Sequence, residues 1–332
     1  MRTIVTCVLL LLVLAAPVAA QDTYVLVVTG LEGDAEHGTR FFEWASKLVD
    51  TVRNTFQAPA ERIVFLGEKP DRDPKKISGT STRQSIEKAI GDFAARARPT
   101  DVIVIVLFGH GSSDGSDVRF NLPGPDLTAA DFAKLLARFQ TQRVVFIDTT
   151  SSSGEFVKAL AGPRRTILTA TRSAAEKYDT QFGGFFVEAF GSDAADTNKD
   201  RRVSMLEAFN YTRGQVLRSF EKQGLLVTEH ALLDDDGDGT GTQEPDAAKP
   251  DGRTAATLYL GSPPLTTASG ALVTDPALKA LYEERLALER RIGELNAVKG
   301  AMPPEKYEAE LEKLATELAL KNRDIRQRED KK

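Results

Sequence analysis

Two short loops in this chain carry the residue types of nucleophilic catalysis. The first, Phe108-Gly109-His110-Gly111-Ser112-Ser113-Asp114-Gly115, sets a histidine between glycines directly after an apolar run. The second, Ile147-Asp148-Thr149-Thr150-Ser151-Ser152-Ser153-Gly154, crowds hydroxyls behind another apolar run. A histidine acts as a general base near neutral pH. Gly111 lets the backbone come close to a substrate, where its N–H can face a developing oxyanion. A hydroxyl of Thr150 or Ser151 within reach of His110 is the arrangement for histidine-assisted attack. A hydroxyl also needs that histidine steadied by a carboxylate. Asp148 and Asp114 are the acids near enough in sequence to serve.

Two acidic loops suggest calcium. In Asp196-Thr197-Asn198-Lys199-Asp200-Arg201-Arg202-Val203-Ser204, which leads to Glu207, side-chain oxygens fall at loop positions 1, 3, 5, 9 and 12. The Arg202 carbonyl takes position 7, which completes EF-hand ligand spacing, although Arg201 replaces the usual glycine at position 6. The second loop, Asp234-Asp235-Asp236-Gly237-Asp238-Gly239, has the D-x-D-x-D-G start, but Pro245 stands at position 12. The expected ligands are Asp196, Asn198, Asp200, Arg202, Ser204 and Glu207 in one loop, and Asp234, Asp236 and Asp238 in the other. The calcium would be structural, and solvated helix-capping turns are the alternative. His37 reads as a surface residue, and His230 has no evident partner in the sequence.

These loops need a scaffold. Residues 24–28, 62–66, 102–108, 144–147 and 166–170 are strand-like apolar runs. Between and after them, apolar residues recur at helical spacing in 41–56, 81–93, 127–139, 182–190 and 204–220. Ser81 with Gln84 has the spacing of a capping box. Residues 102–108 are apolar on both faces, as in the centre of a covered parallel sheet. The pattern predicts an α/β fold, an open and mostly parallel sheet between helices, with residues 257–260 closing one edge. A Gly/Pro/Thr-rich stretch, 263–274, reads as a linker. Residues 275–332 change to Leu, Ala, Glu, Lys and Arg, with helical periodicity broken at Gly300 and Pro303-Pro304. That predicts an antiparallel helical hairpin, packed on its own domain or self-associating as a coiled coil.

Residues 1–20 have the layout of an export signal: Arg2, an apolar run from Ile4 to Leu14, and small residues before Gln21. The expected location is periplasmic or extracellular, with no membrane span after cleavage. Cys7 is the one cysteine and lies inside that signal, so residues 21–332 can form no disulfide and offer no thiol nucleophile. A net charge of −5 argues against nucleic acid as a partner.

The ordered pair of loops, His-Gly-Ser about forty residues ahead of Asp-Thr-x-x-Ser, resembles the caspase–legumain–gingipain clan. It is most similar to the legumain and GPI-transamidase branch of that peptidase family, across residues 23–220. Ala170-Thr171-Arg172-Ser173 and Phe182-Gly183-Gly184-Phe185-Phe186 are also similar to segments of bacterial members. The resemblance implies a caspase-like three-layer sandwich over 21–262. It implies His110 as base, Gly111 in the oxyanion site and Asp148 as the acidic loop residue. The nucleophile position falls on Thr150, or on Ser151 with a one-residue shift. The family's cysteine is absent there. A thiol ionises far more readily than an alcohol, so the expectation is a pseudopeptidase, a module that binds a peptide or protein partner without cutting it. The alternatives are a secreted hydrolase using Thr150 or Ser151 with His110, and a calcium-dependent adhesion protein.

Overall fold

The computed structural model describes residues 22–330, except 116, 262–264, 266, 268–271, 298, 300 and 301. The expected export signal with Cys7, and much of the expected linker, lie outside the described residues.

Seven strands form the main sheet: β1 (Thr23–Thr29), β2 (Ile63–Gly67), β3 (Gly79–Thr80), β4 (Val102–Phe108), β8 (Arg143–Asp148), β9 (Arg165–Thr169) and β10 (Leu232–Asp234). Their order is β10-β9-β8-β4-β1-β2-β3, and every pairing is parallel except β10 with β9. Strand β4 pairs with β1 from Val102 to Phe108 and with β8 from Val102 to Leu107. All seven of its residues are buried, which matches an apolar run on both faces.

Alternate strand residues feed two cores. Val25, Val27, Val104, Val106, Val145 and Ile147 point to one face. There they meet α1 (Ala35–Asp50), α5 (Phe182–Ala189) and α6 (Met205–Gln223) through Phe41, Leu48, Phe182, Phe186 and Phe209. Leu26, Val28, Ile103, Ile105, Leu107 and Phe146 point to the other. That face is covered by α2 (Arg83–Arg96), α3 (Ala129–Leu136) and α4 (Glu155–Leu160) through Ile90, Phe93, Phe132 and Phe156. The result is a three-layer α/β/α sandwich. A small antiparallel sheet of β5 (Gly111–Ser113), β6 (Val118–Phe120) and β7 (Leu127–Thr128) extends the His110 loop. Helices α7 (Pro276–Ala297) and α8 (Pro304–Glu329) pack together. The start of α7 meets the end of α8 through Leu278, Tyr282 and Ile325, so the pair is antiparallel. No helix among the described residues is long and apolar enough to cross a membrane.

Three local expectations are corrected. The sheet edge is closed by β10; residues 255–257 form a 3-10 turn, and Tyr259 makes only an isolated bridge to Ser204. The cap of α2 is Thr82, whose hydroxyl accepts the Ser85 N–H, while the Ser81 hydroxyl is buried without a partner. The helix expected from residue 127 starts at Ala129, because Thr128 and Asp131 form a capping box.

Phe132 sits at the centre of the second core, with ring centroids 5.1 Å from Phe146 and 6.0 Å from Phe156. Phe132→Ala is expected to cost about 3–5 kcal/mol in urea unfolding. Leu320→Ala, on the exposed side of α8, should change stability by less than about 0.5 kcal/mol.

Candidate functional site

In an open α/β sheet, ligands bind beyond the carboxyl ends of adjacent strands whose crossovers leave on opposite faces. Here those strands are β1 and β4. The chain leaves β1 for α1 on the first face and leaves β4 for α3 on the second. His110 stands at that crevice. Its Nε2 donates to the Glu32 carbonyl across the gap at 3.3 Å, since a carbonyl can only accept. Its Nδ1 lies 3.9 Å from Asp179 Oδ1. The ring meets Phe41 edge-on at 5.2 Å and His37 at 4.7 Å between centroids.

The carboxylate facing the imidazole is Asp179, at a separation longer than a hydrogen bond, and not Asp148 or Asp114. Asp179 also accepts from His37 Nε2 at 2.6 Å, and His37 Nδ1 reaches Asp34 at 2.8 Å. The Asp179 bond, opposed by burial and helped by Asp34, raises the His37 pKa. Burial alone would lift Asp179, but the His37 bond and the nearby positive groups hold it below its ordinary value. His37 is thus part of the site rather than a lone surface residue. His230 does find a partner, Glu176, at 2.5 Å.

Pairing of β4 with β8 brings the hydroxyl loop against the histidine loop. A Cβ on Gly111 would land on the Ser151 carbonyl oxygen and 2.5 Å from Thr150 Oγ1, so only glycine fits there. The loops touch, but their reactive groups do not pair. Thr150 is 0% exposed and its hydroxyl donates to the Ser151 carbonyl at 3.2 Å. Ser151 is 8% exposed and its hydroxyl donates to the Gly111 carbonyl at 3.2 Å. Neither hydroxyl bonds His110, whose two nitrogens face Glu32 and Asp179.

Asp148 lies beneath the loop. Its Oδ1 accepts the Thr150 N–H at 3.0 Å, and its Oδ2 is buried without a partner. Asp114 turns to Arg119.

In the first acidic loop Glu207 acts as a cap. One oxygen accepts the Thr197 N–H and hydroxyl and the Asn198 N–H; the other accepts the Ser204 N–H and hydroxyl. Asp196 accepts from the Asp200 and Arg201 amides, and Asp200 from the Arg202 and Asn198 nitrogens. Lys199 and Arg201 take left-handed backbone, with φ of 60° and 67°. In the second loop Asp234 accepts from the Gly237 and Gly239 amides, Asp236 from Asp238 N, and Asp238 from Thr240 N.

No protein-family model matches the chain, and no curated protein matches it. Among solved structures, caspase-1 from Spodoptera frugiperda is similar, with a TM-score of 0.40 and 8% identity, over 64% of this chain and 86% of that one.

Burial pushes the Asp148 carboxyl up to about 6, against the Thr150 bonds that favour the anion. In the unfolded chain an aspartate titrates near 3.9, roughly. Between those values the folded state holds a proton that the unfolded state has lost, so stability falls as pH rises from about 4 to about 6. Asp148→Asn removes that titration. Across this window wild type is expected to lose about 3 kcal/mol relative to the variant, read by urea unfolding at a series of pH values.

Proposed function

We propose that this chain is an exported, non-catalytic relative of the caspase–legumain–gingipain clan, nearest its legumain branch, and that its crevice binds a peptide without hydrolysing it. The reading rests on one observation above the rest. The hydroxyls at the nucleophile position are buried and bonded to backbone carbonyls, while His110 is bonded elsewhere. A base that does not reach the nucleophile gives no activation, and an alcohol without activation is a poor nucleophile.

The rest of the crevice suits a binding role. The histidine loop, the loop after β1 and the Asp179 loop meet at the end of the central strands, through the Glu32 contact and the His37–Asp179 bond. Leu31 and Tyr178 stand exposed beside Glu32 and Asp179, Tyr178 at 71%. Apolar side chains next to fixed carboxylates and backbone carbonyls offer a peptide both contact area and hydrogen bonds.

The test is fluorophosphonate labelling of purified protein, with Thr150→Ala, Ser151→Ala and His110→Ala alongside. No labelling of folded wild type is expected. Labelling that is lost in one hydroxyl variant and in His110→Ala would overturn the reading in favour of a hydrolase. Binding is read separately by enrichment from a random peptide library. Peptides should be retained by wild type and lost with His110→Trp, which fills the crevice. Equal retention by both proteins would remove the crevice as the binding site.

A further inference from the structure

His37 stands between two carboxylates. Its Nε2 lies 2.6 Å from Asp179 Oδ2, and its Nδ1 lies 2.8 Å from Asp34 Oδ2. Asp34 caps α1, whereas Asp179 comes from the loop between β9 and α5, 142 residues from His37 in sequence. A neutral imidazole has one N–H and one lone pair, and an ionised carboxylate only accepts. Both bonds therefore need one proton more than a neutral ring supplies. The carboxylates do not carry it. The His37 amide and ring hold Asp34 below its ordinary value, and burial of Asp179 is outweighed by its bond to His37. The ring is the group that holds the proton.

That bridge carries the tip of the Asp179 loop. The flanks of the loop are fastened on the other side of the crevice. Ser152 N–H donates to the Glu176 carbonyl at 2.8 Å, the Thr180 hydroxyl donates to the Thr149 carbonyl, and Glu229 accepts the Gln181 and Phe182 amides at 2.8 Å. Among the described residues, Asp179 makes all the hydrogen bonds and ion pairs of residues 177–179. The charged groups facing the bridge are Asp34 and Arg40 from the start of α1, and His110 from the loop after β4. Arg40 is 3.6 Å from Asp179 and His110 is 3.9 Å from it, both longer than the His37 bond. The His37 ring lies 4.7 Å from that of His110, so the bridge spans the crevice directly beside it.

We infer that His37 is a proton-operated latch: protonated, it holds the 177–179 tip across the crevice, and deprotonated, it releases the tip and opens the crevice to a peptide. The release falls on Asp179 because Asp34 also accepts the His37 backbone N–H at 2.9 Å and keeps the remaining ring proton. Asp179 then faces the Nε2 lone pair. The bridge is complete below the ordinary histidine value of about 6.5 and is lost as pH rises through the higher value of the folded state. The gain in peptide access rests on the binding role proposed above; the latch itself does not.

The experiment uses the full chain with Tyr178→Cys at the exposed tip and Cys7→Ser, so that one thiol takes a pH-insensitive rhodamine. Its fluorescence anisotropy is followed from about pH 5 to about pH 9. A single fall is expected above about pH 6.5, and His37→Ala and Asp179→Asn should each hold the low value throughout. A flat trace at the high value, or a step that persists in either variant, would overturn the latch. A peptide retained from the library should bind several-fold tighter above the step than below it. Equal affinity on both sides of an intact step would overturn the gating. An intact step with no peptide bound at any pH would support the latch and remove the binding role, so the two failures are distinct.

Discussion

The parallel ladder that locks β4 between β1 and β8 is the constraint on which the site depends. It is seven residues long on one side and six on the other, and every β4 side chain is buried. Because the ladder fixes where each strand ends, it fixes where His110 and the hydroxyl loop emerge. One-residue slippage would turn every β4 side chain to the opposite core. The same ladder holds the hydroxyl loop so close to Gly111 that any side chain there would collide with it. Contact between the two loops is thus a product of sheet register.

Contact is not chemistry. The backbone around Thr150 is held from below by Asp148, whose carboxylate accepts the Thr150 amide inside a fully buried site. That bond and the Thr150 hydroxyl bond hold the loop from within, and the Ser151 hydroxyl ties it to the Gly111 carbonyl. On the other side the Glu32 carbonyl accepts from the imidazole of His110, and Asp179 lies 3.9 Å from it. The hydroxyls of Thr150 and Ser151 bond to backbone carbonyls and not to His110.

Much of the frame was legible because its signals are local. Strands β1, β4 and β8 are unbroken apolar runs, and residues directly after such runs fall at the carboxyl edge of the sheet, as His110 and Asp148 do. The break at Pro303-Pro304 marks the turn between α7 and α8. What escaped was joined in space alone. Asp179 is 69 residues from His110 and sits in no periodic pattern; only the crossing of its loop to α1 reveals it. His37 looked like a surface residue because its partners are one neighbour and that same distant aspartate. Strand β10 has three residues, too few for alternation to register, so the longer apolar stretch 257–260 was the more strand-like choice. Leu258 and Leu260 are indeed buried, but in the α6 side of the core rather than in the ladder.

The central claim is that His110 and the hydroxyl loop are adjacent yet uncoupled. Nitrogen NMR of the histidine rings tests it most directly, because ring-nitrogen shifts report the partner of each nitrogen. The account predicts that the His110 resonances move in Asp179→Asn and stay unchanged in Thr150→Ala and Ser151→Ala. A clear shift in either hydroxyl variant, with Asp179→Asn silent, would contradict it and place a hydroxyl on the base.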